Sequence, residues 1–131
     1  MEFGEILAGK LGGTDGKEAQ TEAMTILVEL VRQHPQWPDP RYLLARCYAD
    51  LAALERDMGQ PSEANRRQNA AIETLKAVAK TEADSTRYQM ELARLRSQQA
   101  QLYCDLGKAR EGVAFAKEAS TTLEELIKAR D

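Results

Sequence analysis

Apolar residues recur along this chain at the three- and four-residue spacing that keeps them on one face of an α-helix. In Asp15–His34 the stripe is Ala19, Ala23, Ile26, Leu27, Leu30 and Val31. Asp15-Gly16-Lys17-Glu18 predicts its start as a capping box, in which Asp15 accepts from a first-turn amide and Glu18 reaches back. Pro35 disfavours helix at the residue before it, so the segment ends near Gln33-His34. The connector Pro35-Gln36-Trp37-Pro38-Asp39-Pro40 is stiff, and it predicts Asp39 as N-cap with Pro40 at the first helical position. A long helix over about Pro40–Met58 follows, with Leu43, Leu44, Cys47, Tyr48, Leu51, Ala52 and Leu54 on its packing side.

Gly59 supplies a left-handed C-terminal position and Pro61 restarts a helix at once, so the two helices form an antiparallel hairpin. The second of them runs from about Pro61 to Lys80 through Ala64, Ala71, Ile72, Leu75 and Val78. Thr81-Glu82-Ala83-Asp84 is the next connector, with Asp84 or Ser85 as cap. The pattern then recurs as a helix over about Thr86–Leu106, Gly107, and a last helix over about Lys108–Lys128 carrying Val113, Ala116, Ala119, Leu123, Leu126 and Ile127.

The recurrence is literal. One constant shift lays Leu44-Ala45 on Leu92-Ala93, Ala52 on Ala100, Asp57 on Asp105 and Gly59 on Gly107. It also lays Glu63 on Glu111, Ala71 on Ala119 and Thr74-Leu75 on Thr122-Leu123. A fixed period marks a repeat architecture, in which each unit buries its apolar face against the next.

Ahead of this lies Phe3–Leu11, a short helical stripe of Phe3, Ile6, Leu7 and Leu11 that Gly12-Gly13 breaks. It contains the one phosphate-loop lookalike, Gly4 to Gly9-Lys10. That loop needs a preceding strand and a hydroxyl after the lysine for magnesium. Leu11 has no hydroxyl and there is no room for a strand, so no nucleotide is expected here.

Composition narrows the reading further. The 131 residues suffice for one domain with a core. Hydrophobic residues make up 43% and charged residues 30%, which favours a folded protein over a disordered one. Aromatics are only 5% and β-branched residues never alternate, so strands are not expected. The net charge of −3 argues against a nucleic-acid surface. Cys47 and Cys104 lack metal-ligand spacing and read as two reduced packing cysteines, though two thiols can in principle pair. The acidic start Met1-Glu2-Phe3-Gly4-Glu5 resembles no secretory signal, and no run approaches the roughly 18 apolar residues of a membrane span. A cytoplasmic location is expected.

Residues at fixed offsets from the turn glycine resemble the tetratricopeptide repeat. In that family the first helix carries an aromatic, a large aliphatic, a small residue and a Tyr, and the second carries two Ala seven residues apart. In Leu44–Leu75 the matching residues are Tyr48, Leu51, Ala52, Gly59, Ala64 and Ala71. The second unit keeps Ala100, Tyr103, Gly107, Gly112 in the place of Ala64, and Ala119. It departs at Arg96 and Gln99, and the first unit has Glu55 where the family Tyr stands. Glu18-Ala19, matched to Glu63-Ala64 with one extra turn residue, makes Asp15–His34 the second helix of an earlier repeat. The standard period is about 34 residues. The longer period here, which carries Gly59 to Gly107, resembles that of arrays attached to bacterial serine/threonine kinases and related signalling proteins.

The resemblance implies an all-α fold of antiparallel helix-turn-helix repeats stacked as a right-handed superhelical array, with five long helices plus a short N-terminal one. As one domain over 1–131 it divides into a short helix and turn (1–14), a partial repeat (15–38) and two repeats (39–84 and 85–131). An antiparallel helical bundle uses the same amphipathic helices and is the alternative.

The family's groove is lined by first-helix residues that face away from the second helix. Carried over by position, the candidates are Arg46, Ala49, Ala53, Arg56 and Asp57, and in the next unit Arg94, Ser97, Gln101, Cys104 and Asp105. The Lys and Asn that hold a peptide's terminal carboxylate in some members do not occur there. Arg46, Arg56 and Arg94 would form a basic stripe for an acidic or extended peptide, or a solvated face whose arginines pair with nearby acids. His34 has no catalytic partner at a usable spacing, Trp37 reads as a cover over a helix-pair end, and Glu124-Glu125 and Arg66-Arg67 read as surface charge.

The expectation is therefore a non-catalytic protein-interaction module without metal or cofactor, docking a peptide or helix on its concave face. The rival is a structural domain that self-associates, as a homo-oligomer, through exposed end helices. That would use Ile26, Leu27 and Leu30 at one end, or Val113, Leu123, Leu126 and Ile127 at the other.

Overall fold

The computed structural model describes residues 13–81 and 86–130. Among them are five α-helices and no strand: α1 (Gly13–Gln33), α2 (Pro38–Asp57), α3 (Pro61–Thr81), α4 (Thr86–Asp105) and α5 (Ala109–Arg130). The stripe of Phe3–Leu11, the Gly4-to-Lys10 loop and the Asp84 or Ser85 cap lie outside the described residues. The all-helical class and the five long helices read from the apolar periodicity are present.

Two helix starts differ from expectation. Helix α1 opens at Gly13, two residues ahead of the expected cap; glycine is unfavourable inside a helix but does not forbid it. Helix α2 opens at Pro38 and not Pro40. Trp37 takes the extended conformation that a following proline imposes (φ −78°, ψ 122°), so Pro38 becomes the first helical residue. Asp39 then sits inside the first turn, where its charge favours the helix dipole without capping it.

The two hairpin turns are built alike. Gly59 and Gly107 adopt φ of +76° and +79°, a region that a side chain would strain. Each closes a Schellman motif. Gln60 N donates to Glu55 O at 2.8 Å and Gly59 N to Arg56 O at 3.0 Å. Lys108 N and Gly107 N repeat this to Tyr103 O and Cys104 O at the same distances.

Contact is most extensive within the hairpins α2/α3 and α4/α5, and less so where α1 meets α2 and α3 meets α4. The main core lies where α4 enters the first hairpin: Ala45 of α2, Ala71, Leu75 and Val78 of α3, and Leu92 and Leu95 of α4. A smaller cluster joins Ala23 and Leu27 of α1 to Leu44 and Cys47 of α2. Ala52, Ala64 and Leu102 form a third. Alanines at these crossings let the helix backbones approach, and the leucines fill the remaining space.

Burial corrects the register assigned to α1. With Ala19 matched to Ala64, Ile26 would correspond to the buried Ala71, yet Ile26 is 58% exposed. The unmodified shift, the same one that carries Gly59 to Gly107, instead aligns Gly16, Ala23 and Leu27 with Ala64, Ala71 and Leu75, all of them buried. No extra turn residue is needed. The buried Gln20 then falls on the buried Gln68. Leu27 is correspondingly removed from the exposed apolar end patch expected of α1, because it packs on α2.

Candidate peptide-binding cleft

Helices α2 and α4 run past each other with a cleft of about 320 Å³ between them. Helix α2 contributes Ala49, Ala52, Ala53 and Arg56, and α4 contributes Ser97, Gln98, Gln101 and Leu102. Gln68 of α3 closes the back. Five of the ten residues carried over by position thus border one cavity: Ala49, Ala53, Arg56, Ser97 and Gln101. Arg46, Asp57, Arg94, Cys104 and Asp105 do not. The floor is small and apolar because α2 presents three alanines there, and the rim is uncharged amide and hydroxyl except for Arg56.

The arginines do not form a free basic stripe. Arg56 Nε meets Asp105 Oδ2 at 2.6 Å, bridging α2 to α4 beside the cleft. Its hydrogen bond holds the Asp105 carboxyl below the ordinary carboxylate value, and Asp105 in turn raises Arg56. Gln101 Nε2 approaches the other carboxylate oxygen at 3.4 Å. Arg94 lies one turn from Glu91 and is bound to it bidentately, with Nε 3.1 Å from each oxygen, which raises its pKa. Arg46 is half-buried and already engaged. These pairings are the solvated-face alternative, realised by acids close in sequence or space.

Gln68 and Gln98 are not among the carried-over positions. Gln68 donates to Leu95 O at 2.8 Å and to Gln98 Oε1 at 3.1 Å, so the back wall is itself a hydrogen-bonded amide pair. The signal in the sequence is the match of Gln20 to Gln68, two glutamines at a helix position that packing favours as apolar.

The core also holds buried polar side chains away from the cleft lining. Glu55, at the family's Tyr position, is 1% exposed. Lys17 Nζ of α1 and Arg67 Nε of α3 each lie 3.4 Å from one of its oxygens. Arg67 is therefore a counter-ion for a buried carboxylate and not the surface charge expected of it, whereas Arg66 pairs outward with Glu63. In the second hairpin the same position is Tyr103, whose ring stacks on Phe115 at 5.1 Å. Gln99, in the place of Leu51, is buried and donates to Asn69 and Asn65 of α3.

The remaining candidates fall away from the cleft. His34 and Trp37 stack face to face at 3.6 Å in the α1–α2 connector, beside a separate hollow of about 260 Å³ that Arg41 also borders. Cys47 is buried, its Sγ 3.3 Å from Gln20 O, and burial pushes its thiol up to about 11. Cys104 is exposed, and both cysteines are free. Among the described residues no group of His, Cys, Asp and Glu is placed to hold a metal ion, and no helix is long and apolar enough to cross a membrane.

Compared with known proteins, the chain matches no family model, no curated protein and no solved structure.

Proposed function

We propose that the chain is a tetratricopeptide-like interaction module that docks a peptide or helix in the α2/α4 cleft. The observation that carries this reading is the convergence of Ala49, Ala53, Arg56, Ser97 and Gln101 on one cavity. The family resemblance, carried over by position, names those residues among its ten candidates. The chemistry of the cleft selects a neutral segment and not an acidic one, since the nearby guanidiniums are already paired. The alanine floor accepts an apolar side chain, while Ser97, Gln98 and Gln101 offer donors and acceptors to a main chain. Serial stacking of helix pairs and the matched glycine turns support the repeat architecture.

The test is selection from a displayed random-peptide library, followed by titration of the recovered peptides. Ala53→Trp and Ser97→Trp fill the cleft from positions outside the core. Peptides that bind the unsubstituted chain and lose at least about tenfold affinity to both variants support the reading. Peptides indifferent to both variants overturn it.

A further inference from the structure

The repeat register assigns a role to the outer face of α5. Met24, Leu27 and Val31 of α1 receive α2, packing around Leu43, Leu44, Cys47 and Tyr48. Their counterparts Ile72, Leu75 and Ala79 of α3 lie in the cluster that receives Tyr88, Leu92 and Leu95 of α4. On α5 the counterparts are Ser120, Leu123 and Ile127, and no helix among the described residues covers them. Ile127 is 59% exposed and Val113, on the same face, 51%. Ser120 is exposed and Leu123 only half-buried. This face is a stacking surface by construction.

Its sequence is complementary to itself. At about 100° per residue, Val113, Ala116, Lys117, Leu123, Glu124 and Ile127 all lie within about 60° of Ser120. Val113 and Ile127 stand seven residues to either side, about 10 Å along the axis. We infer that two copies of this chain pair antiparallel through α5, with a two-fold axis passing beside Ser120. In that register Val113 meets the partner's Ile127, and Ala116 meets the partner's Leu123. Lys117 and Glu124 share the opposite edge, so each Lys117 reaches the partner's Glu124. Neither has an ion pair within the chain among the described residues. Ala116 and Ser120 are small enough for the backbones to approach. The contact is isologous, so it closes as a dimer and leaves the α2/α4 cleft open. It does not rest on the peptide-docking reading.

Sedimentation equilibrium tests this with exposed substitutions whose helicity is checked by circular dichroism. The unsubstituted chain is expected to be a concentration-dependent dimer. Lys117→Glu alone and Glu124→Lys alone each set like charges across the axis twice, and each is expected to weaken the dimer by about tenfold or more. An equimolar mixture of the two variants restores attraction across the axis and is expected to form the heterodimer. The chain carrying both substitutions dimerises as the unsubstituted one does. A monomer at the highest concentration reached overturns the pairing, as does an unsubstituted face that binds only some other helix. Single variants that dimerise undiminished overturn it too.

Discussion

Gln68 donates its side-chain amide to the main-chain carbonyl of Leu95 at 2.8 Å, joining α3 of one hairpin to α4 of the next. The same two repeat positions meet in the earlier unit, with donor and acceptor exchanged. Gln20 and Cys47, the repeat counterparts of Gln68 and Leu95, meet through the Cys47 thiol and Gln20 O at 3.3 Å. The pairing of these two positions thus recurs, although the bond that joins them differs. Gln68→Ala removes two hydrogen bonds and leaves a void behind the cleft. A loss of about 2 kcal/mol is expected, read from urea unfolding.

Glu55 lies between Lys17 and Arg67 with almost no solvent. Glu55→Ala leaves two cations facing a cavity and is expected to cost about 3 kcal/mol or more. Glu55→Gln keeps the shape, loses the charge and turns one of the two cation-facing oxygens into an amide donor, but leaves no cavity, so it is expected to cost less. Equal denaturation midpoints for the two variants would show that loss of the carboxylate, and not loss of packing, sets the cost.

Gly112 stands where the first hairpin has Ala64, and the two turns that precede them match. A Cβ on Gly112 would lie 2.8 Å from Ala100 O and 3.0 Å from Cys104 Sγ. Helix propensity by itself makes a glycine-to-alanine change stabilising by about 1 kcal/mol. Because the obstacle includes backbone, Gly112→Ala is expected to give a net loss of about 1 kcal/mol or more. The opposite sign in a thermal melt would mean that α5 shifts freely on α4.

Arg56 and Asp105 make stability depend on pH with a definite sign. The folded Asp105 carboxyl lies below its ordinary value. Its contribution is therefore complete above the unfolded carboxylate pKa and lost as pH falls through the folded one. Both side chains are partly exposed, which limits the effect to under about 1 kcal/mol. The gap between the unsubstituted chain and Asp105→Asn is expected near neutral pH and to close in acid. Salt is expected to narrow it.

Local chemistry made the helices, the glycine turns and the period legible. Apolar spacing names a helix from within its own segment, and Gly59 and Gly107 each terminate one by a conformation that depends on few neighbours. The resemblance to the tetratricopeptide repeat, carried over by position, named Ala49, Ala53, Arg56, Ser97 and Gln101 of the cleft, together with Arg46, Asp57, Arg94, Cys104 and Asp105, which do not border it. It did not reveal that Arg56, Arg94 and Arg67 are engaged. Glu91 is a helix neighbour of Arg94, but Asp105 lies 49 residues from Arg56 and meets it only once α4 packs against the first hairpin.

Burial was the quantity that only the tertiary structure decided. Ile26 and Leu27 are adjacent and both apolar, yet Leu27 faces α2 and Ile26 faces solvent. Glu55 stands where the family has Tyr, and its two counter-ions come from α1 and α3, which close over it. Gln68 and Gln99 find their partners only where α3 and α4 come together. From the sequence alone came the elements and their repetition, since these depend on backbone preferences within a turn or two. Which polar groups become counter-ions, and which apolar face of α5 no described helix covers, depended on what each helix packs against, a property of pairs of helices and not of any one of them.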